Sequence, residues 1–278
     1  MRTLIAFFVL ALAASVCNAD WVQTNGTYGH SVYSFAVSGT NLFAGTDSGV
    51  FLSTNNGSGW TNVSTGLPFS GVFALAVSGT NLFSGTDSGV FLTTNSGASW
   101  TAVDSGLTNT SVRALAVSPD LSGNLFAGTY AGSIFRSTNN GTSWTVVSAG
   151  LGTVWSLLVS SNVTGGIALF AGTNGGGVFR STDNGTSWTA VDSGLTNTYV
   201  HALAVSPDSS GNLFAGTFDG GVFRSTNSGT RWTAVNTELT NGYVYAFAVS
   251  ARISLPGLMA AFFCSPITAQ TGQTSVQA

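Results

Sequence analysis

The sequence predicts an all-β chain, a β-propeller of four-stranded antiparallel blades with five blades complete and a sixth incomplete. Three observations carry this reading. Tryptophan recurs at Trp60, Trp100, Trp144, Trp188 and Trp232, at intervals of 40, 44, 44 and 44 residues. Around it runs one unit, V-x-A-L-A-V-S, N-L-F-A-G-T, G-V-F-x-S-T and N-x-G-x-x-W-T-x-V, its pieces separated by Gly, Asn, Asp, Ser or Pro. No stretch has the period of a surface helix. Four short β-prone runs between turn residues spell an antiparallel meander. Both faces of the runs are apolar or small, so each sheet must lie between two others, which a ring of stacked blades provides.

Complete copies begin at Val32, Val72, Val112, Val154 and Val200, and a sixth opens at Val244. In the first copy the predicted strands are Val32–Ser38, Leu42–Thr46, Val50–Thr54 and Trp60–Ser64. Small residues such as Ala36, Gly45, Ala76 and Gly85 suit crowded inner strands where backbones approach closely. An open ring would leave sheet edges unpaired. The segment Trp21-Val-Gln-Thr-Asn-Gly looks like a fourth strand without its own first three, so it is expected to complete the last blade and give a ring of about six.

Residues 1–19 read as a signal peptide: Arg2, an apolar run from Leu4 to Val16, then Cys17-Asn-Ala19. The run is too short to span a bilayer, which takes roughly 20 residues. A lipid-anchored Cys17 is the alternative, but Val16 is large for the position before such a cysteine. The expected product is secreted or displayed at the cell surface, with no membrane span. Cleavage leaves Cys264 alone, so packing rather than a disulfide must hold the fold. There is no lysine, charged residues make up 6% of the chain and the net charge is −3, which excludes a basic surface for nucleic acid. At 44% hydrophobic residues the chain is not disordered.

The turn between third and fourth strands repeats as Ser53-Thr-Asn-Asn-Gly-Ser-Gly-Trp60, Thr93-Thr-Asn-Ser-Gly-Ala-Ser-Trp100, Ser137-Thr-Asn-Asn-Gly-Thr-Ser-Trp144, Ser181-Thr-Asp-Asn-Gly-Thr-Ser-Trp188 and Ser225-Thr-Asn-Ser-Gly-Thr-Arg-Trp232. It resembles the Asp box, S-x-D-x-G-x-x-W, of the bacterial neuraminidase repeat family. The positions that carry the likeness are Asn55, Gly57 and Trp60; Asn95, Gly97 and Trp100; Asn139, Gly141 and Trp144; Asp183, Gly185 and Trp188; and Asn227, Gly229 and Trp232. Asn replaces Asp in four copies, and it can still bond the turn backbone and tolerate left-handed geometry. The resemblance implies a propeller in which the box is a structural turn away from the site. It does not choose a function, since the family includes sialidases, xyloglucan hydrolases, sortilin-type receptors and photosystem II assembly factors.

A sialidase of that family uses three converging arginines, an acid/base Asp, a Tyr nucleophile and a helper Glu. Here no Arg-Ile-Pro start exists and Glu238 is the sole glutamate. Arg136, Arg180 and Arg224 occupy one repeat position before each box, so they form a ring and cannot converge on one carboxylate. A glycosidase pair about 5 to 10 Å apart could come only from Asp47, Asp87 or Asp219 in the second-to-third turns with Asp104 or Asp192 nearby, although Asp-Ser-Gly and Asp-Gly-Gly are ordinary hairpin turns. Gly175-Gly-Gly177 lies between strands and is not a phosphate loop. His30 and His201 are too few for a metal site, the acidic loops could hold Ca²⁺ only weakly, and no cofactor is implied.

One position varies while the repeat around it does not. It opens the first strand: Tyr33, Phe73, Arg113, Trp155, His201 and Tyr245. First strands are innermost, so these side chains either line the mouth of the central channel, where aromatic and polar groups bind sugars or peptides, or wedge between blades. The resulting expectation is a monomeric, non-catalytic binding or scaffolding module for a protein or glycan, and the alternative is a glycoside hydrolase.

The repeat stops after Tyr245-Ala-Phe-Ala-Val-Ser250. Its continuation, Gly-Thr-Asn-Leu-Phe-Ala-Gly-Thr, encoded GGC ACG AAT CTC TTT GCC GGG ACT and read one nucleotide late, gives Ala251-Arg-Ile-Ser-Leu-Pro-Gly-Leu258. Residues 251–278 are therefore expected to be a frameshifted tail replacing the rest of the sixth blade, residues 20–250 the propeller, and the chain a truncated product. The coding DNA, read in the neighbouring frame, tests this.

Overall fold

The structure, a computed structural model, describes residues 29–119, 123–161, 167–206, 210–237, 239 and 241–247. These contain five four-stranded antiparallel sheets, each with its strands in sequence order, following one another around a ring as propeller blades. Blade 1 consists of Val32–Ser38, Asn41–Thr46, Gly49–Ser53 and Thr61–Asn62. The innermost strands of the others are Val72–Ser78, Val112–Val117, Val154–Ser161 and Val200–Val205. Residues 241–247 hold no strand, so no sixth blade is seen among the described residues. The segments expected to be a signal peptide, a closing strand at Trp21 and a frameshifted tail after 250 lie outside them.

The core sits between blades. One cluster joins Phe43 and Val50 of blade 1 to Val72, Leu82, Phe91 and Trp100 of blade 2; its counterparts join blades 2 with 3 and 4 with 5. Each buried aromatic or aliphatic side chain contributes about 1.5–3 kcal/mol by leaving water. The inner strands touch through a Val-on-Gly contact repeated at every interface, Val72 on Gly45, Val112 on Gly85, Val154 on Gly128 and Val200 on Gly172. The glycines are there because a Cβ would collide with the valine. Val244 rests on Gly216 in the same way, and Gly221 N–H donates to the Gly242 carbonyl at 2.8 Å, so residues 241–247 begin along blade 5 as a following inner strand would.

Blade 1 differs at its outer flank. Tyr33, Phe35 and Val37 are 49, 65 and 62% exposed, whereas the equivalent Phe73, Leu75 and Val77 are covered by blade 1 itself. The ring therefore has a seam at blade 1.

The box turns explain their own composition. In each, the Ser or Thr hydroxyl donates to the Asn or Asp side chain (2.7–2.9 Å) and accepts the Gly N–H (2.8–3.0 Å). The Asn or Asp then accepts the N–H four residues on. Asn56, Ser96, Asn140, Asn184 and Ser228 have φ of 55–58°, and each is followed by a left-handed Gly, so the N-G and S-G pairs are what this turn requires. Asp183 also accepts from the Ser187 hydroxyl, and this bond above all holds its pKa at about 2.

The predicted fourth strands begin one residue early. Trp100, Trp144 and Trp232 spend their backbone N–H on carbonyls of the preceding blade, Thr65, Ser105 and Ser193, all at 2.8 Å, so ladder pairing starts only at Thr101, Thr145 and Thr233. Their indole N–H groups reach back too, to Val63, Val103 and Val191 carbonyls at 2.7 Å. Each of these tryptophans is thus a two-pronged latch. Trp60 and Trp188 instead turn the indole N–H to their own Gly57 and Gly185 carbonyls. For Trp188 the cause is a shorter linker: Gly106 to Val112 spans six positions, but Gly150 to Val154 only four. Leu151 N–H then bonds the Gly132 carbonyl, and Gly150 lies clear of Trp188.

Buried polar groups are mostly satisfied. Thr46, Thr86, Thr129, Thr173 and Thr217 donate to a carbonyl across the second-to-third turn at 2.9–3.1 Å. Ser84 is an exception: it is fully buried and its hydroxyl lacks a partner, at a position occupied by Ala44, Ala127, Ala171 and Ala215 in the other blades. Ser84→Ala is expected to stabilise the fold by about 1 kcal/mol, the desolvation cost of an unpaired hydroxyl. An unchanged or lowered urea midpoint would show that the hydroxyl is satisfied in solution.

Candidate functional site

The residues that open the first strands are brought together by a local irregularity that the sequence does not announce. In all five blades the ladder between first and second strands slips by one residue there, between Val32 and Ser34, Val72 and Ala74, Val112 and Ala114, Val154 and Ser156, and Val200 and Ala202. Tyr33, Phe73, Arg113, Trp155 and His201 are the bulged residues. A bulge leaves its residue unpaired and re-aims the side chain, which turns all five out of the sheet planes and toward one another.

They form a continuous file. The Tyr33 and Phe73 rings lie 5.1 Å apart, and the Arg113 guanidinium lies 3.6 Å above the Phe73 ring centroid. Tyr130 bridges onward, 5.4 Å from Arg113 and edge-on to Trp155 at 6.4 Å. Trp155 stacks on His201 at 5.1 Å and 13°, and Tyr245 meets His201 edge-on at 5.4 Å. Phe218 and Tyr243 extend the file beyond His201.

Its two ends differ. At the blade 2–3 end the side chains are wedges: Arg113, between Phe73 and Tyr130, pairs with Asp87 at 2.8 Å, and Ser111 donates to the same carboxylate. At the other end an open-sided pocket of about 430 Å³ is lined by Asn174, Asn197, Tyr199, His201, Phe218 and Asp219. Burial lowers the His201 pKa below its ordinary value, so the ring is neutral at neutral pH. The Trp155 indole N–H is buried without an acceptor beside this stack, a group that calls for a functional or solvent partner.

The remaining candidates are placed elsewhere. Asp47 is tied to the His30 ring at 3.0 Å and to the Ser31 N–H at 3.2 Å. Asp104 and Asp192 lie against Gly89 and Gly177 of their own blades. Arg136 reaches the Asn184 carbonyl of the next blade's box at 3.2 Å, an inter-blade contact. Among the described residues no three His, Cys, Asp or Glu side chains cluster as a metal site would.

Tyr130 and Phe218 were not among the sequence candidates. A signal existed: the residue after Gly-Thr in the second-to-third turn reads Asp47, Asp87, Tyr130, Asn174 and Phe218, a second variable position disguised by its turn-forming members.

No protein-family model and no curated protein matches the sequence. Solved structures do. The chain is similar to an ancestral GH74 enzyme (TM-score 0.62, 24% identity, 77% of this chain and 32% of that one). It is similar to the extracellular domain of the BT4673 one component system from B. thetaiotaomicron (TM-score 0.63, 21% identity, 81% and 32%). It is also similar to YCF48 bound to D1 peptide (TM-score 0.56, 15% identity, 74% and 68%). The chain spans about a third of the length of the first two. These likenesses establish the β-propeller fold. No helix among the described residues is long and apolar enough to cross a membrane.

Proposed function

We propose that this chain is an exported, non-catalytic β-propeller binding module, that its third-to-fourth turns are Asp boxes used as structural latches, and that its ligand, a protein or a glycan, sits at the channel mouth. The observation that carries the reading is the unbroken file from Tyr33 to Tyr245, whose members are the side chains that differ from blade to blade and whose last part borders an open pocket. A purely structural position would be expected to repeat as faithfully as the box does. The boxes favour latching, since their polar atoms are spent within the turn and three of their tryptophans, Trp100, Trp144 and Trp232, on the neighbouring blade. Extracellular location rests on the reading of residues 1–19 and on likeness to an extracellular domain.

The alternative, a glycoside hydrolase, is favoured by the likeness to GH74 enzymes. Two carboxyls about 5–10 Å apart would be needed, and Asp47 and Asp87 are each committed to a neighbouring base and a hydrogen-bond donor. Purified protein is tested for turnover of sialosides and plant β-glucans; release of reducing sugar would replace the binding reading with the enzymatic one. For a ligand identified on glycan or peptide arrays, Trp155→Ala is expected to weaken binding roughly tenfold or more, the size of a lost aromatic anchor, with the circular dichroism spectrum retained. Contacts mapping to the Asn-Gly turns instead would overturn the location.

A further inference from the structure

We infer that the pocket bordered by Tyr199, His201, Phe218 and Asp219 accepts a cationic side chain, the guanidinium or ammonium group of an arginine or lysine on a partner protein. This rests on the channel-mouth reading and names its ligand class. The protein supplies its own precedent. Two blades earlier Arg113 is held by one ring face (Phe73, 3.6 Å), a second ring (Tyr130, 5.4 Å) and a carboxylate (Asp87, 2.8 Å). The far end of the file repeats the ingredients without the cation: Tyr199 and His201, then Phe218 from the turn position equivalent to Tyr130, and Asp219 beside it.

Charge supports the assignment. Asp87 is neutralised by Arg113 and Asp47 faces His30, whereas the exposed Asp219 has no ion pair or side-chain hydrogen bond among the described residues. Aromatic faces and an unpaired carboxylate together attract a cation by its interaction with both the ring quadrupole and the full charge. His201, neutral through burial, does not repel it. One of the two amides that line the pocket is withdrawn from a sugar's hydroxyls. The Asn197 amide is already committed, its Nδ2 donating to the Phe218 carbonyl at 2.6 Å and its Oδ1 accepting from Tyr199 N–H at 2.9 Å.

The test uses the full chain and the imidazole NMR signals of its two histidines. The probes are acetyl-Gly-Gly-Arg-Gly-Gly-amide, the same peptide with Gln for Arg, and a xyloglucan oligosaccharide. The arginine peptide is expected to shift His201 saturably and leave His30 in place, and the glutamine peptide is not. Asp219→Asn keeps the side-chain shape and tolerates the φ of 69° at this position; it should weaken the arginine peptide about three- to fivefold, the size of an exposed ion pair. Equal binding of the two peptides, or no effect of Asp219→Asn, overturns the cation assignment. A shift with the oligosaccharide alone also overturns it while leaving the channel-mouth reading in place. That reading fails separately, when a natural ligand binds without regard to Trp155.

Discussion

Trp144→Ala is expected to lower folding stability by about 3–5 kcal/mol, and Trp188→Ala by roughly half of that or less. Both residues hold the same place in the repeat. Trp144 is buried in the cluster between blades 2 and 3 and donates its indole N–H to the Val103 carbonyl of the neighbouring blade. Removing it leaves a cavity and the Val103 carbonyl without its donor, while the backbone N–H at 144 stays on the Ser105 carbonyl. Trp188 is only partly buried and satisfies its indole within its own turn, so its loss breaks no indole bond between blades. Against a total stability of about 5–15 kcal/mol, the first change brings the protein close to unfolding. Urea melts of the two variants decide the matter, and equal losses would dismiss the latch.

Gly106→Ala and Gly150→Ala form a second pair with unequal outcomes. Both glycines are left-handed, with φ of 89° and 79°, so alanine strains either backbone by about 1–2 kcal/mol. At Gly106 the added methyl would also run into the Trp144 carbonyl, while at Gly150 nothing stands within 4 Å. The expected cost is therefore about 3 kcal/mol or more at Gly106 and about 1–2 kcal/mol at Gly150. Thermal unfolding of both variants measures the difference; if Gly150→Ala proves as harmful, the seam between blades 3 and 4 is as tight as the others.

The tryptophan spacing and the Gly-Thr turns made the blades legible, because each repeated residue answers a demand that recurs in every blade: Gly45 must admit Val72, and Asn55 must close its turn. The residues that open the first strands were legible for the opposite reason, that Arg113, Trp155 and His201 break an otherwise uniform pattern. Their convergence was not, because both faces of these strands are apolar or small, so the one-residue shift of a bulge does not show in the pattern. Nor could equivalent letters reveal that Trp100 and Trp188 hold different partners, since that depends on two residues missing from a linker in the blade before Trp188. The sixth blade expected from Val244 stands on different ground. Val244 itself is buried as Val72, Val112, Val154 and Val200 are, but the strand it should open is not formed among the described residues.

The unlatched junction has a consequence for how the molecule comes apart. Stacked repeats lose structure in cooperative units bounded by their weakest couplings. Between blades 3 and 4 the fully buried contact comprises Ile134, Val154 and Ala171, with Phe179 and Trp188 only partly covered, and no box tryptophan bridges it through its indole. Amide exchange should therefore divide the propeller there, with blades 1–3 opening as one foldon and blades 4–5 as another. A protease that catches the transient opening would cut first in the Gly150-Leu-Gly152 linker, releasing two fragments of unequal size before any single blade is lost.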